Sequence, residues 1–453
     1  MSADTAHQFL EEHPDIARVE FLYVDVNGVP RGKWANAESL IKAFDGGLRL
    51  PRSSYVLDIW GDTAEGTGLL MQAGDQDGLC VPVEHSLGVT NWQGHPVAQC
   101  LLSMDDQDGL PFYADPRQVL KRVLDRYSDD GLRPVIALEL EFYLVDQKLL
   151  PNGHPQAPTI PGSSQRYSDT QLLSVIEMQD FEEVLSAIET ACRDLNLPAE
   201  TVLKENSPGQ FELNLYHQSD ALLAADQAFL LKRAIKGCAQ QHGFIATFMA
   251  KPFDQWAGNG MHIHASVLDQ SGENIFKLSG REPQGAYAAA IAGLLQATPE
   301  LLAFYAPHAN SYRRMVDGAG LAPTTLSWGY ENRTAMIRLP LADPAATRIE
   351  QRLAGADANP YLVAAATLAG MHHGLRTSPA LSDETIGDAY SQHPAALAIS
   401  WAEAVQRAAV SEIAKSYFGE KFVHCFDRIK HAELKRFGIT TTDFEYNSYL
   451  RHV

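Results

Sequence analysis

The stretch Val135-Ile-Ala-Leu-Glu-Leu-Glu-Phe-Tyr-Leu-Val145 reads as a single strand. Its even positions, Ile136, Leu138, Leu140, Phe142 and Leu144, are all apolar. Side chains alternate across a strand, so Glu139 and Glu141 share the opposite face. A solvated face usually mixes Lys, Thr and Ser with Glu. Two acids framed by Ala137 and Tyr143 suggest a site.

The pattern recurs three times. In Gln210 to Leu215, Phe211, Leu213 and Leu215 form the apolar face and leave Gln210, Glu212 and Asn214 opposite, with Glu205 just upstream. In Met261 to Val267, His262, His264 and Ser266 share a face, after a lead-in of Ala257-Gly-Asn-Gly260. Arg348, Glu350 and Arg352 alternate with Ile349, Gln351 and Leu353, although Gln351 interrupts the apolar side. Four such strands predict a sheet whose concave face holds metal; the competing possibility is a half-exposed sheet with a polar solvent side. Carboxylate oxygens with little imidazole and no thiolate suit Mg²⁺ or Mn²⁺ better than Zn²⁺. Arg313, Arg314, Arg333, Arg338, Arg348 and Arg352 cluster nearby, as planar pairing with phosphate or carboxylate requires. Metal ligands and arginines together suggest ATP-dependent phosphoryl transfer. Neither a G-x-x-x-x-G-K-[ST] loop nor a kinase-type H-R-D or D-F-G segment is present.

The remaining chain sets bounds. Its 453 residues are 45% hydrophobic, ordinary for a folded protein, and its net charge is −20. That charge disfavours nucleic acid or an anionic membrane as partner. No run reaches the ~18 apolar residues of a membrane span; Ala286 to Ala297 is too short. The N-terminus lacks an apolar signal core, and the five cysteines are scattered without a C-x-x-C pair. A cytoplasmic location is therefore expected. A strand-like run over Val19 to Val26, ended by Asn27-Gly28, opens a β-rich unit. The Asp105-Asp-Gln-Asp-Gly109 cluster closes it, giving expected domains at 16–108 and 109–453. Beyond it, Asp115-Pro116 predicts a helix stopped by Gly131, Asp180 with Glu183 predicts a capping box, and Ser219 predicts the start of a helix running to Gly243. Pro151 to Asp169 reads as a long exposed loop, His372-His373 as structural, and the aromatics of Tyr417 to Phe426 as packing.

These segments together resemble the glutamine synthetase family. The resemblance is carried by Leu138-Glu-Leu-Glu-Phe142, Glu205-Asn-Ser-Pro-Gly-Gln-Phe-Glu-Leu-Asn214, Lys251-Pro252, Gly260-Met-His-Ile-His264, Asn310-Ser-Tyr-Arg-Arg314, Asn332-Arg-Thr334, Ile337-Arg338, Arg348-Ile-Glu-Gln-Arg352 and Asp357-Ala-Asn-Pro-Tyr361. Val24-Asp-Val-Asn-Gly28 and Arg31-Gly-Lys33 resemble its small N-terminal domain. The resemblance implies an α+β fold: a β-grasp-like domain, then a large catalytic domain whose antiparallel sheet lines the active site. It implies a homo-oligomer of stacked rings, a dodecamer, with sites between neighbouring subunits. It implies Glu141, Glu205 and Glu212 as ligands of one metal and Glu139, His262 and Glu350 as ligands of a second, with two or more Mg²⁺ or Mn²⁺ ions per site. Arg314 and Arg352 would hold glutamate and the transferring phosphoryl group, with Gly258 also at the glutamate. Arg333 and Arg338 would face the ATP phosphates, and His264 and Ser266 the nucleotide. Arg314, Arg338 and Glu350 would be catalytic.

In the family reaction, glutamate and ATP form γ-glutamyl phosphate, which an amine attacks. Ammonia-using members carry an Asp in an Asp-Gly-Ser-Ser segment and a Glu in a loop after the arginine matching Arg314. This chain has Leu50-Pro-Arg-Ser-Ser54 and Val316-Asp-Gly-Ala-Gly-Leu-Ala-Pro323 instead, leaving Asp317 as a candidate acid. It also has Ala257 where those members place an Asn, with Asn259 a candidate replacement. The pattern resembles the γ-glutamylpolyamine (γ-glutamylputrescine) synthetase branch, which implies glutamate and a polyamine as substrates. The alternatives are a γ-glutamyl ligase for a monoamine, an ammonia-using glutamine synthetase, or a catalytically inactive homologue.

Overall fold

The computed structural model describes residues 3–70, 73–279, 281–316 and 321–453; Asp317 therefore lies outside the described residues. Among them the strands gather into a six-stranded, an eight-stranded and a two-stranded sheet. In the first sheet, Arg18–Val24 lies between Pro30–Asn36, with which it forms a hairpin, and Val97–Asp105, to which it runs parallel. This parallel central pair in an otherwise antiparallel sheet fits the β-grasp-like expectation. The hairpin turns because Gly28 adopts φ +76° and the Asp25 carboxylate accepts the Val29 amide at 2.9 Å. A Cβ at Gly28 would lie 3.2 Å from Asn359 Cα, and the Asn359 amide donates to the Asp25 carbonyl at 3.0 Å. The turn is thereby docked on the start of the Pro360–Thr377 helix.

The second sheet runs in the order Trp328–Tyr330, Ile337–Leu339, Ile349–Gln351, Met261–Leu268, Arg133–Asp146, Gln210–Leu215, Ala199–Lys204, with Phe244–Thr247 also on Arg133–Asp146. The four strands picked out by their charged faces are four consecutive neighbours. From Arg133 to Phe142, burial alternates residue by residue, as the period predicts. Gln351 is fully buried on the apolar side; its side-chain oxygen accepts the Leu353 amide at 3.0 Å, while its side-chain nitrogen has no hydrogen-bond partner among the described residues.

Behind this sheet, Ala286–Tyr305 packs along Pro360–Thr377. A Cβ on Gly293 would fall 2.2 Å from Gly374 Cα, so glycine on both helices sets their close approach. Ala286–Tyr305 is longer than the apolar run expected there and is the described helix long and apolar enough to cross a membrane, but it is mostly buried, as a core helix is. Phe304 stacks among Phe418, Phe422 and Phe426, which extends the core to the C-terminal helices. All five cysteines are free and buried.

Helix starts follow the sequence in part. Asp115 caps Pro116–Asp129 by accepting the Arg117 amide, and Gly131 ends it at φ +71°. Asp180 does not cap. Ser174 caps a short helix, Val175–Asp180, and Glu182–Asp194 begins from Phe181 without a side-chain cap, while Asp180 accepts the Tyr167 hydroxyl. The cap of Ala221–Gln241 is Asp220 rather than Ser219, because its carboxylate accepts the Leu222 and Leu223 amides. His372 is structural, held by Tyr417 at 2.8 Å and Asp130 at 3.1 Å.

Candidate active site

Strand register assembles the site. Glu141 is the cross-strand partner of Glu212, Glu139 of His262, His264 of Glu350, and Glu350 of Arg338. Directly opposed side chains lie close enough to interact. Glu139 joins two imidazoles, meeting His264 Nε2 at 2.9 Å and His262 Nδ1 at 3.2 Å. Glu141 accepts the Gly260 amide at 2.7 Å and lies 3.8 Å from His262 Nε2. Among the described residues two groupings result, Glu139 with His262 and Glu350, and Glu141 with Glu212 and His262, each with ligand atoms within 4.8 Å of one another. Glu205 stands outside both, in the turn between Ala199–Lys204 and Gln210–Leu215.

The acids divide by electrostatics. Burial pushes the Glu212 carboxyl up to about 9, reinforced by Glu141, Glu139 and Glu205. Burial and then Glu141 push Glu205 up to about 7. Burial opposes ionisation of Glu139 too, but hydrogen bonds from His262 and His264 hold its carboxyl well below the usual range. Glu350, likewise buried, is held down at about 2 by Arg352, the two histidines and Arg338. Repelling carboxylates on one rigid sheet face, with an imidazole between them, form a donor set that a divalent cation would relieve. The oxygen-rich set fits a hard metal ion.

Arg314, Arg338 and Arg352 line the same face. Arg338 donates to Glu350 and to Glu331, both at 2.6 Å, and Arg352 pairs with Glu350. Arg314 is buried and spends one nitrogen on the Leu353 carbonyl at 2.8 Å. Two glycines make room for it. A Cβ on Gly258 would lie 2.9 Å from Arg314 Cγ and 2.4 Å from the Ala250 carbonyl oxygen. One on Gly260 would lie 2.8 Å from both Arg314 Nη2 and His262 Nε2. Arg333 is exposed on the turn that Glu331 opens at φ +50°.

His264 and Ser266 line a cavity of about 550 Å³ beside Glu139, together with Ala137, Leu215, Ala346 and Arg348. Arg348 donates to His264 Nδ1 at 3.1 Å, a contact the strand pattern did not predict, although Arg348 and Glu350 alternate on one face. Asn259 does not replace the missing asparagine. It is fully buried, its amide donating to the Met249 carbonyl at 2.9 Å and its oxygen accepting from Gln210 at 3.1 Å. Trp256 packs edge-on against Phe253, while Trp328 donates to the Ser382 carbonyl.

Comparison with known proteins agrees with this geometry. Residues 113–449 match the glutamine synthetase catalytic domain. The γ-glutamylputrescine synthetase of Escherichia coli (strain K12) is 39% identical over 97% of this chain and 93% of its own. The glutamate–isopropylamine ligase of a Pseudomonas species is 31% identical over 98% and 96%. A solved structure, "GmaS/ADP complex-Conformation 1", superposes with a TM-score of 0.84 at 28% identity and covers 99% of each chain. With its catalytic-domain match and these full-length relatives, the chain belongs to the glutamine synthetase family.

Proposed function

We propose that this protein is an ATP-dependent ligase that joins the γ-carboxyl of glutamate to a primary amine, a polyamine in preference, through γ-glutamyl phosphate. The observation that carries the chemistry is the pair of carboxylate groupings sharing His262, with Arg314, Arg338 and Arg352 on the same face. Family ligases use ATP and a divalent metal. Here Glu141, Glu205 and Glu212 would hold one ion and Glu139, His262 and Glu350 another, Mg²⁺ or Mn²⁺ in each. When bound, such ions supply charge neutralisation to the nucleotide phosphates.

The residues of the chain do the rest. Arg314 and Arg352 orient glutamate and the phosphoryl group as it transfers, and Gly258 leaves the space in which Arg314 does so. Arg338 and Arg333 meet the charge on the nucleotide phosphates, while His264 and Ser266 hold the nucleotide in the adjoining cavity. Fixed donors aimed at developing charge lower the barrier because they need no reorganisation during reaction. A polyamine fits the acceptor role because this sequence lacks both acids that would cage ammonium. Its methylenes and distant second charge add binding energy away from the reacting nitrogen, which helps to position that nitrogen. The relatives that join glutamate to putrescine and to isopropylamine support an amine larger than ammonia.

In this reading the chain divides at 16–108 and 109–453, in line with a six-stranded sheet built before the division and an eight-stranded and a two-stranded sheet built after it. It assembles as stacked rings and works in the cytoplasm. Phosphate release with glutamate, ATP and a panel of amines tests the function. Putrescine or a longer polyamine should far outperform ammonium at equal concentration. A preferred monoamine would keep the ligase and remove the polyamine, ammonium as best acceptor would restore glutamine synthesis, and no release with any amine would leave an inactive homologue.

A further inference from the structure

Glu205 is the proposed metal ligand that comes from a turn rather than from a strand. Turns are mobile unless tied down, and a ligand must be held close to its productive position. The turn Glu205-Asn-Ser-Pro-Gly209 is tied from beneath by two buried charges. Lys204 and Glu177 both have fully buried side chains. Lys204 Nζ donates to the Glu205 carbonyl at 2.5 Å and the Ser207 carbonyl at 2.6 Å, and lies 3.5 Å from Glu177 Oε2. Glu177 Oε1 accepts the Gly209 amide at 2.7 Å. One ammonium therefore grips the start and middle of the turn, and its counter-ion grips the end.

Glu177 is itself fixed, since its amide donates to the Ser174 hydroxyl that caps its short helix. Gly209, at φ +69°, has no space for a Cβ, which would lie 2.6 Å from Pro158. A buried ion pair seldom adds net stability over an apolar pair of the same size. What this pair does visibly is bind two carbonyls and one amide of the turn.

We propose that Lys204 and Glu177 are positioning residues that hold the Glu205 turn in its metal-binding geometry and so set the affinity of the site for divalent cations. This rests on the metal reading above. The polar partners that orient a ligand typically change metal affinity by about 10–100-fold when removed.

The test compares two double variants of the full-length protein by Mn²⁺ titration, following free Mn²⁺ by electron paramagnetic resonance. K204M/E177Q removes the ammonium but keeps an acceptor for the Gly209 amide. K430M/E433Q alters another buried Lys–Glu pair, whose partners Asn27, Ile59 and His308 are not among the site residues, and reports a purely structural loss. Mn²⁺ binding about 10–100-fold weaker in the first and unchanged in the second is expected. In activity assays the Mg²⁺ concentration for half-maximal phosphate release should rise in parallel, with turnover at saturating Mg²⁺ retained. Wild-type affinity in K204M/E177Q, or an equal loss in both, overturns the proposal. If K204M/E177Q does not fold, Glu177→Gln alone decides, with weaker Mn²⁺ binding expected and unchanged binding overturning the assignment. A wild-type chain that binds no Mn²⁺ overturns the metal reading as well, and is told apart because it appears before any substitution.

Discussion

Arg338 and Glu350 are direct partners across two antiparallel strands, and Arg338 Nη1 donates to Glu350 Oε2 at 2.6 Å. A guanidinium so fixed is aimed before substrate arrives, while its second nitrogen rests on Glu331. Arg338→Ala should lower the turnover of glutamate-dependent phosphate release by ~10²–10³-fold, the usual cost of losing one preorganised donor. Arg352 still pairs with Glu350 in that variant, so the chain should stay folded. A change confined to the KM for the amine would show that Arg338 serves the acceptor instead.

The divided acids predict a pH dependence. Burial and neighbouring carboxylates push Glu212 up to about 9 and Glu205 up to about 7. An unfolded Glu titrates near ~4.3. Above that value the unfolded chain releases protons that the folded site still holds, so stability falls as pH rises through this window. In chelator, the melting temperature should drop between about pH 5 and about pH 9, and saturating Mg²⁺ should flatten the slope by replacing those protons. Asp25 and Asp115 are also pushed up, each to about 6, so the wild-type slope is not due to the site alone. The informative quantity is the difference for Glu212→Gln, which should be less steep than wild type in chelator and respond less to Mg²⁺. Superimposable curves would contradict the assigned repulsion.

Gly260 tests how tightly the site is built. The added methyl of Gly260→Ala would sit 2.8 Å from Arg314 Nη2 and from His262 Nε2, and 3.2 Å from Glu141 Oε1. Arg314 and His262 are buried, so neither has room to retreat cheaply. The lead-in strand end needs no left-handed backbone at this residue, so folding should survive. Phosphate release and Mn²⁺ binding should both fall by at least ~10-fold, as when the surroundings of a metal ligand are disturbed. Wild-type values for both would mean that the three side chains are looser than their spacing implies.

The strand faces were legible because alternation is a local property. From Glu139 and Glu141 the period alone fixes a shared side, and burial follows it. Which strand neighbours which is a long-range matter, and no local period tells that Glu141 faces Glu212 while Glu139 faces His262. Gln351 looked like a fault in the pattern because its partner, the Leu353 amide, becomes available only in the folded backbone. Asp180 carried a sound capping signal, but a shorter helix capped by Ser174 competes for the same residues. Asn259 fails as a substitute for the same kind of reason, since tertiary contacts with Gln210 and Met249 consume its amide.

The cavity beside Glu139 offers a way to tell nucleotide binding from metal binding. Ser266 lies on the same strand face as His262 and His264 and lines that cavity, whereas His264 is pinned between Glu139 and Arg348. Substituting His264 would disturb Glu139 as well and could not distinguish the two ligands. Ser266 donates to none of the metal-grouping acids, so Ser266→Phe adds bulk to the cavity and leaves Glu139, His262 and Glu350 in register. A ring placed there should raise the KM for ATP by at least ~10-fold, equivalent to about 1.4 kcal/mol of lost binding. Mn²⁺ affinity in the absence of nucleotide should stay at the wild-type value. If instead Mn²⁺ binding were lost and the KM for ATP unchanged, the cavity would not be the nucleotide's, and the arginines on the opposite side of Glu350 would have to orient ATP from another direction.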